Sequence, residues 1–481
     1  MKILITASES APFAATGGLG DVIGSLPAAL KSGHPDDDVR VVLPLYGTMD
    51  PVWRDKLTFV GDCRVQLNWR NQYCGLFRLT YKRVIYYFID NEFYFKRGRL
   101  YGEGDDGERF AFFCRAIPEV MAMTGFFPDI LHANDWQSAL AVIYLHQKYG
   151  GTEPYSRIRT VFTIHNIQYQ GWFGGSEMAD IFDLLPSDWE TVEWSGQINL
   201  MKGAIVCADR VNTVSPTYAR EILSPAFSFG LDPILRRCEW KLSGILNGID
   251  RDYYSPSGED AKKGEIPASF HVNRMEGKAV CKRALQSELG LPEDPDVPLI
   301  AMIGRMVDAK GLDLVTAGAE MMLDDRVQLA VLGTGEPHYE AFFRNLAEKH
   351  PDRCKAVLTF DKHLAKRMYA GADIFLMPSR SEPCGLAQMI CSRYGTVPVV
   401  HETGGLYDSI RDAGSPGGGN GFTFAEYSTW DMLGALRRAT GCFRVKEDWK
   451  KLVRKVMMTD FSWDASAEQY RKLYETAREN G

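Results

Sequence analysis

The sequence predicts an α/β protein of two doubly wound domains, and three observations carry that prediction. At 481 residues the chain exceeds what one core comfortably fills and suits two domains of ordinary size. It opens with a short β-prone run, a glycine-rich turn and a stretch of helical apolar spacing, the entry unit of a doubly wound sheet. The same alternation of short apolar strands and helical segments then restarts at residue 299.

In the first half, Lys2–Thr6 reads as the opening strand and Asp21–Leu30 as the following helix. Further buried strands are expected at Val39–Leu43, Ile130–His132, Thr160–Ile164 and Arg210–Val214. Each is brief and nearly continuously apolar, as a strand covered on both faces must be. Two aromatic-rich stretches, Gln66–Phe77 and Val84–Phe93, read as a hairpin inserted at one edge. In the second half, strands are expected at Leu299–Ile303, Val327–Leu332, Ala356–Phe360, Ile374–Pro378 and Val397–Val400. Between the halves Tyr253–Phe270, rich in Pro, Gly, Ser and charge, reads as the connection. Two such units facing across a cleft would turn the carboxyl ends of both sheets toward one ligand.

Bulk properties exclude several function classes. A net charge of −7 argues against a nucleic-acid backbone as partner, while leaving room for a local basic pocket around a small phosphate ester. The ten cysteines include no Cys-x-x-Cys pair and no accompanying His cluster, so they read as reduced, mostly buried thiols and not as a disulfide framework or a metal site. No apolar run reaches membrane-span length and nothing resembles a signal peptide. The expectation is a soluble, cytoplasmic protein without a membrane or nucleic-acid partner.

Four groups of residues carry chemistry. In Thr16-Gly17-Gly18-Leu19-Gly20-Asp21, adjacent glycines let the backbone approach a ligand, and the following helix N-terminus offers unpaired N–H groups to an anion. The spacing misses the dinucleotide fingerprint, because Ile23 stands where the third glycine belongs. His132-Ala133-Asn134-Asp135-Trp136-Gln137 and His165-Asn166-Ile167-Gln168 each follow an apolar strand. Their mixed donors and acceptors suit a hydroxyl-rich ligand such as a sugar, against the simpler reading of structural histidines. Gly304-Arg305 with Lys310-Gly311 pairs a planar fork with a point charge, a combination suited to a diphosphate. Pro378–Leu386, with Glu382 and a Pro-Cys-Gly turn, combines a carboxylate with several backbone N–H donors. His401–Leu406 repeats the Thr-Gly-Gly-Leu of the first half, so a glycine-rich anion turn occurs twice.

In this order, Thr16–Asp21, His132–Gln137, His165–Gln170, Val211–Arg220, Gly244–Asp250, Lys278–Leu291, Tyr369–Leu386 and Thr403–Leu406 resemble the successive motifs of bacterial glycogen synthases and plant starch synthases, end to end. The resemblance implies the GT-B fold: a Rossmann-like domain over residues 1–243 on the glucan acceptor side, a second over 244–460 on the nucleotide-sugar side, and a terminal helix over 461–481 packed back on the first. It implies glucosyl transfer, with retention, from ADP-glucose or UDP-glucose to the non-reducing end of an α-1,4-glucan, with no cofactor or metal. It also admits the plastid stroma as the compartment should the source be a plant or alga.

Carried over residue by residue, the resemblance implies catalytic roles for His165, Asp135, Glu382, Arg305 and Lys310. His165 would bond the transferred glucose near its 6-hydroxyl, and Asp135 would lie beside the reacting carbon. Glu382 would hold the donor glucose with the backbone N–H groups of Cys384, Gly385 and Leu386. Arg305 and Lys310 would neutralise the diphosphate with the N–H groups of Thr403, Gly404 and Gly405. Thr16, Gly17, Gly18, Asp21, Asn134, Asn166 and Asn247 would approach substrate, Phe360 would stack on the base where a Tyr is usual, and Tyr94 or Phe95 would line the acceptor side.

The chain departs from the family pattern at Ala15, where a Lys contacts the donor phosphates. Loss of one such charge costs on the order of 10²–10³ in rate. Lys366, standing for a usual His, is a candidate substitute charge; Ser381 and His401-Glu402 are further departures. The departure at Ala15 also admits a weakened paralogue that binds glucan or nucleotide sugar in a regulatory or scaffolding role. A nicotinamide dehydrogenase fails on glycine spacing. A phosphorylase would need a pyridoxal-phosphate lysine and a longer chain.

Overall fold

Runs such as Lys2–Thr6 and Ile130–Asn134 are apolar at nearly every position, so they are stable only with both sheet faces covered. A computed structural model describes residues 1–479 and gives them that cover. The described residues form two compact units, Met1–Asn247 with the terminal helix from Trp463, and Gly248–Ser462.

The first unit holds a nine-stranded sheet. Its order, from one edge, is Leu242–Gly244, Arg210–Thr213, Arg159–Ile164, Ile130–Asn134, Lys2–Thr6, Asp38–Pro44, Val84–Asp90, Arg70–Tyr81 and Thr58–Leu67. All neighbours run parallel except the last two pairings, which are antiparallel. The hairpin expected over Gln66–Phe77 and Val84–Phe93 forms, with Arg70–Tyr81 pairing antiparallel to Val84–Asp90 through a turn at Lys82-Arg83. A second tight turn at Asn68-Trp69, inside the first stretch, adds the outermost strand Thr58–Leu67, and Val84–Asp90 also joins the main sheet beside Asp38–Pro44. The helix Gly18–Gly33 covers one face through Val22, Ile23, Leu26 and Leu30. The terminal helix Trp463–Glu479 presents Trp463, Ala467, Tyr470, Tyr474 and Ala477 at helical spacing to the same core. Its two tyrosines end on buried polar groups of the sheet: the Tyr474 hydroxyl lies 2.9 Å from His132 Nδ1, and Asn212 Nδ2 donates to the Tyr470 hydroxyl at 3.2 Å.

The second unit holds six parallel strands in the order Cys354–Val357, Gln328–Leu332, Leu299–Ile303, Ile374–Met377, Val397–His401 and Phe422–Phe424. That is the strand order 3-2-1-4-5-6 of a Rossmann sheet. The strand expected at Ala356–Phe360 ends at Val357, leaving Phe360 beyond it, 79% exposed. Lys278 is buried and donates toward four oxygens: the carbonyls of Ala370, Ala372 and Tyr394 and the Thr396 hydroxyl. Burial lowers its pKa to about 8.

The segment Tyr253–Phe270 is not a free connection. It belongs to the second unit, with Asp260 buried and accepting from Lys366 Nζ at 2.6 Å and from the Tyr394 hydroxyl. Lys366 also pairs with Glu265 at 2.6 Å and sits 3.9 Å from the Tyr253 ring centroid. It is committed to the core of the second unit, so it does not substitute for the charge absent at Ala15. Among the described residues no helix is long and apolar enough to cross a membrane.

Candidate active site

In an open parallel sheet the ligand loops gather at the carboxyl ends of strands, where the strand order reverses. In the first unit that reversal falls between Lys2–Thr6 and Ile130–Asn134, and in the second between Leu299–Ile303 and Ile374–Met377. Thr16–Asp21 and His132–Gln137 follow the two strands that flank the first reversal, and Gly304–Gly311 and Pro378–Leu386 those that flank the second, while His165–Gln170 and Thr403–Leu406 follow the next strands outward.

In the first unit the organising group is Glu9, a buried carboxylate just past the opening strand. It accepts from the Thr16 amide at 2.5 Å, the Thr16 hydroxyl at 2.7 Å, the Gly17 amide at 3.2 Å and the Tyr101 hydroxyl at 2.6 Å. Glu9 thus holds the glycine turn while Gly17 and Gly18 stay exposed, with open space where a side chain would stand. Its only sequence signal is an acid seven residues before Thr16. Asp21 opens the helix on the exposed side.

Asp135 follows the next strand with φ +57° and ψ 177°, a costly backbone for a non-glycine residue. It persists because the loop is tied on both sides. The Asp135 amide donates to the Thr163 carbonyl at 3.0 Å, and the His165 amide donates to Asp135 Oδ1 at 2.8 Å. Burial raises the half-buried Asp135 carboxyl to about 7. The His165 and Asn166 amides oppose that shift, and the charge of Glu9 adds to it. His165 Nε2 lies 2.9 Å from Asn134 Oδ1, so this nitrogen carries the proton, and burial lowers its pKa to about 3. His165 is therefore a neutral hydrogen-bonding ring at physiological pH. Asn134 is anchored in turn by donating to the Thr6 and His132 carbonyls. His132, its ring between Thr163 and Tyr474, is a satisfied structural histidine. Asn166 accepts from the Gln168 amide at 3.0 Å. Asn247 is buried, and its Oδ1 has no partner among the described residues. Tyr94 is fully buried with its hydroxyl on Glu108 at 2.5 Å, while the neighbouring Phe93 is 65% exposed.

In the second unit Lys310 Nζ meets Glu382 Oε2 at 2.6 Å, and the same oxygen accepts from the Ser379 hydroxyl at 2.9 Å. Arg305, in the same loop after Leu299–Ile303 as Lys310, is exposed, and its guanidinium has no ion pair among the described residues. Gly311 has φ +70°, and a Cβ there would stand 1.9 Å from the Pro378 carbonyl oxygen. Only glycine lets the Lys310 turn lie against the Glu382 loop.

The loops carrying Cys384–Leu386 and Thr403–Gly405 are interlocked. A Cβ on Gly404 would meet the Glu382 carbonyl oxygen at 2.0 Å, and one on Gly405 the Cys384 carbonyl oxygen at 2.1 Å. The Gly405 amide donates to the Glu382 carbonyl and the Thr403 amide to the His401 carbonyl. Among the described residues the amides of Gly385 and Leu386 have no internal acceptor. Behind them Gln388, fully buried, donates from Nε2 to the carbonyls of Cys384 and Gly385 and to the Ser409 hydroxyl at 3.0–3.1 Å. Ser409 passes the chain on to the Gly405 carbonyl at 2.5 Å. Sequence reading missed this support, since a glutamine inside a helical stretch gives no local signal. At the surface near Lys310, Asp308, Glu336 and His338 bring one ligand atom each within 4.8 Å of one another, though the Tyr339 hydroxyl already donates to Asp308.

The first unit gathers a neutral histidine, asparagines and two carboxyl groups, and the second gathers cations, a carboxylate and backbone amides. Comparison with known proteins accords with this arrangement. Residues 2–237 match the starch synthase catalytic domain family, and residues 286–455 match glycosyl transferases group 1. The chain is 46% identical to a glycogen synthase of Ligilactobacillus salivarius over 98% of this chain and 99% of that one. It is likewise 46% identical to a glycogen synthase of Geobacillus thermodenitrificans over 99% and 97%. The catalytic domain of starch synthase IV from Arabidopsis thaliana, solved bound to ADP and acarbose, superposes with a TM-score of 0.90 at 33% identity, covering 100% of this chain and 99% of that one. Sucrose-phosphate synthase from Thermosynechococcus elongatus, at 17% identity and a TM-score of 0.63, shares the fold. With both domains matched and close relatives spanning its length, the chain belongs to the glycogen and starch synthase family of GT-B glycosyltransferases.

Proposed function

We propose that this glycosyltransferase moves glucose from ADP-glucose to the non-reducing end of an α-1,4-glucan, with retention of configuration and in the cytoplasm. The observation that carries the reading is the Lys310–Glu382 pair, with exposed Arg305 in the same loop as Lys310, at the reversal point of a Rossmann sheet. ADP is the preferred nucleotide because the starch synthase IV domain, alike over its whole length, was solved with ADP.

In this reading residues 244–460 hold the donor. Arg305 and Lys310 take the diphosphate, Glu382 and the Gly385 and Leu386 amides take the glucose hydroxyls, and the exposed Phe360 offers a ring face to the base. In the Thr403–Gly405 turn, the Thr403 and Gly405 amides donate internally, so they fix the turn against the Glu382 loop instead of reaching phosphate themselves. Residues 1–243 serve the acceptor and the transferred sugar. Neutral His165 donates or accepts at a hydroxyl, Asn134 and Asn166 support it, and the Thr16–Asp21 turn offers backbone to the donor phosphates. Asn247, with its unpaired Oδ1, bonds the sugar.

Chemistry needs no protein nucleophile. The bond from C1 to the diphosphate oxygen breaks, leaving positive charge on the sugar and additional negative charge on the phosphate. Fixed cations and amide dipoles stabilise that charge, which often is the largest catalytic contribution. The departing oxygen accepts the proton of the acceptor hydroxyl on the same face, where the new C1–O bond forms, so configuration is retained. Asp135, beside the reacting carbon, steadies the positive charge once ionised.

Labelled glucose should enter glycogen from ADP-glucose faster than from UDP-glucose in direct competition, and His165→Ala or Glu382→Ala should abolish it. Well-folded protein that transfers from neither donor would remove the proposal; a preference for UDP-glucose would remove only the choice of nucleotide.

A further inference from the structure

We propose that Cys63 and Cys74 form a thiol-modification site, a dithiol that a small-molecule disulfide such as oxidised glutathione converts reversibly to a cross-strand bridge. The two residues lie directly opposite each other in the antiparallel pair Thr58–Leu67 and Arg70–Tyr81 at the edge of the first sheet. Opposed residues in such a pair place their Cα atoms about 4.5–5.5 Å apart with side chains on one face. That falls within the roughly 4.4–6.8 Å window a disulfide requires. The sequence signal is weak, because a hairpin turn separates the pair and no Cys-x-x-Cys spacing marks it.

The environment divides the labour between the thiols. Cys63 is half-buried and reachable, whereas Cys74 is fully buried. The hydrogen bond between the two thiols holds Cys63 below its ordinary value, against burial and the charges of Glu119 and Asp62. The same bond and burial raise Cys74. A half-buried thiol directly opposite a buried one is the arrangement of an attacking and a resolving cysteine.

The chemistry balances with glutathione disulfide as oxidant. The Cys63 thiolate attacks one of its sulfurs, forming a mixed disulfide and releasing one glutathione thiolate. That thiolate takes the proton of Cys74. The Cys74 sulfur then attacks Cys63, the bridge forms and the second glutathione leaves. Two thiols have been oxidised and one glutathione disulfide reduced to two thiols. The bridge would staple the outermost strands on the side of the helix Asp106–Thr124, which packs on Thr58–Leu67.

The test exposes the full-length protein to oxidised glutathione, traps free thiols and maps the peptides. Wild type should give a Cys63–Cys74 linked peptide, lose two hydrogens in intact mass, resist proteolysis at the hairpin, and revert with dithiothreitol. Cys63→Ser should give no link. Cys74→Ala should accumulate a stable glutathione adduct on Cys63 that wild type does not hold, and Cys74→Ser serves should the alanine variant not fold. The half-buried Cys238 and Cys442 report background reactivity in the same digest. A persistent adduct on wild-type Cys63 without the link, or no reaction at Cys63 beyond that background, would overturn the proposal.

Discussion

The two units use the same architectural position in opposite electrostatic ways. Beside the reversal point of the first sheet, burial disfavours charge on two groups: it pushes His165 down to about 3 and Asp135 up to about 7. At the corresponding point of the second sheet, Lys310 and Glu382 stand as a formed ion pair, and Arg305 of the same loop is exposed. Uncharged donors and acceptors suit sugar hydroxyls, whereas fixed cations suit a departing diphosphate. The backbones differ in parallel. Among the loops that carry the polar motifs, the first unit places a non-glycine residue, Asp135, at positive φ, while the second relies on glycines at 311, 404 and 405 to bring loops into contact no side chain would allow. One fold thus supports two chemistries through the loops that leave the carboxyl ends of its strands.

The largest break in this comparison is Glu382→Ala. It leaves Lys310 and the Ser379 hydroxyl without their shared oxygen and removes a sugar contact. Glucose incorporation should fall by about 10³ in kcat/KM. Lys310→Ala combined with it should cost much less than the product of the single effects, since the residues act as one unit. Full additivity would separate them. Next is Ala15→Lys. It restores a cation to the turn that Glu9 holds, and kcat/KM should rise by on the order of 10² if the remaining phosphate partners are in place. No gain would mean the donor phosphates are neutralised without this turn.

A smaller effect is expected at Gln388, which positions the amides without facing substrate. Gln388→Leu orphans the Cys384 and Gly385 carbonyls and cuts the chain to Ser409. KM for the nucleotide sugar should rise about tenfold, equivalent to about 1.4 kcal/mol, with a smaller change in kcat. An equal fall in activity at all donor concentrations, with lowered Tm, would mark Gln388 as structural only.

The legibility of the molecule in its sequence depends on where the information lies. Buried parallel strands announce themselves, because Ile3, Leu4 and Ile5 or Ile300 and Ala301 must be apolar whichever face they meet. The edge hairpin was legible as two aromatic-rich stretches, but its extra strand Thr58–Leu67 was not, because the turn at Asn68-Trp69 lacks the Asn-Gly that marks a two-residue loop, although Asn68 does take φ +52°. Tyr253–Phe270 has the composition of a linker, and its fixing partners Lys366 and Tyr394 lie more than a hundred residues away. The polar motifs were visible as residue types after strands. Their backing was invisible: Glu9 under the glycine turn, Gln388 and Ser409 behind the amides, and the direct opposition of Cys63 and Cys74. Each depends on a three-dimensional neighbour and leaves no local period.

The smallest expected effect tests the electrostatic side of the comparison directly. The Asp135 carboxyl titrates at about 7 in the folded chain and near 3.9 when unfolded. As pH rises above about 4 the unfolded chain ionises first, so the stability this group contributes in acid is lost progressively as pH climbs through about 7, and no further change occurs above it. Asp135→Asn removes that titration while keeping a side-chain oxygen for the His165 amide and a residue tolerant of positive φ. Because Asp135 is only half-buried, solvent screening reduces the difference to about 1–2 kcal/mol, a few degrees in Tm. The variant's Tm relative to wild type should therefore rise between pH 5 and pH 8, although its activity falls. A Tm difference constant across that interval would mean Asp135 is ionised like any surface carboxylate, and the contrast between an uncharged first site and a charged second would not hold.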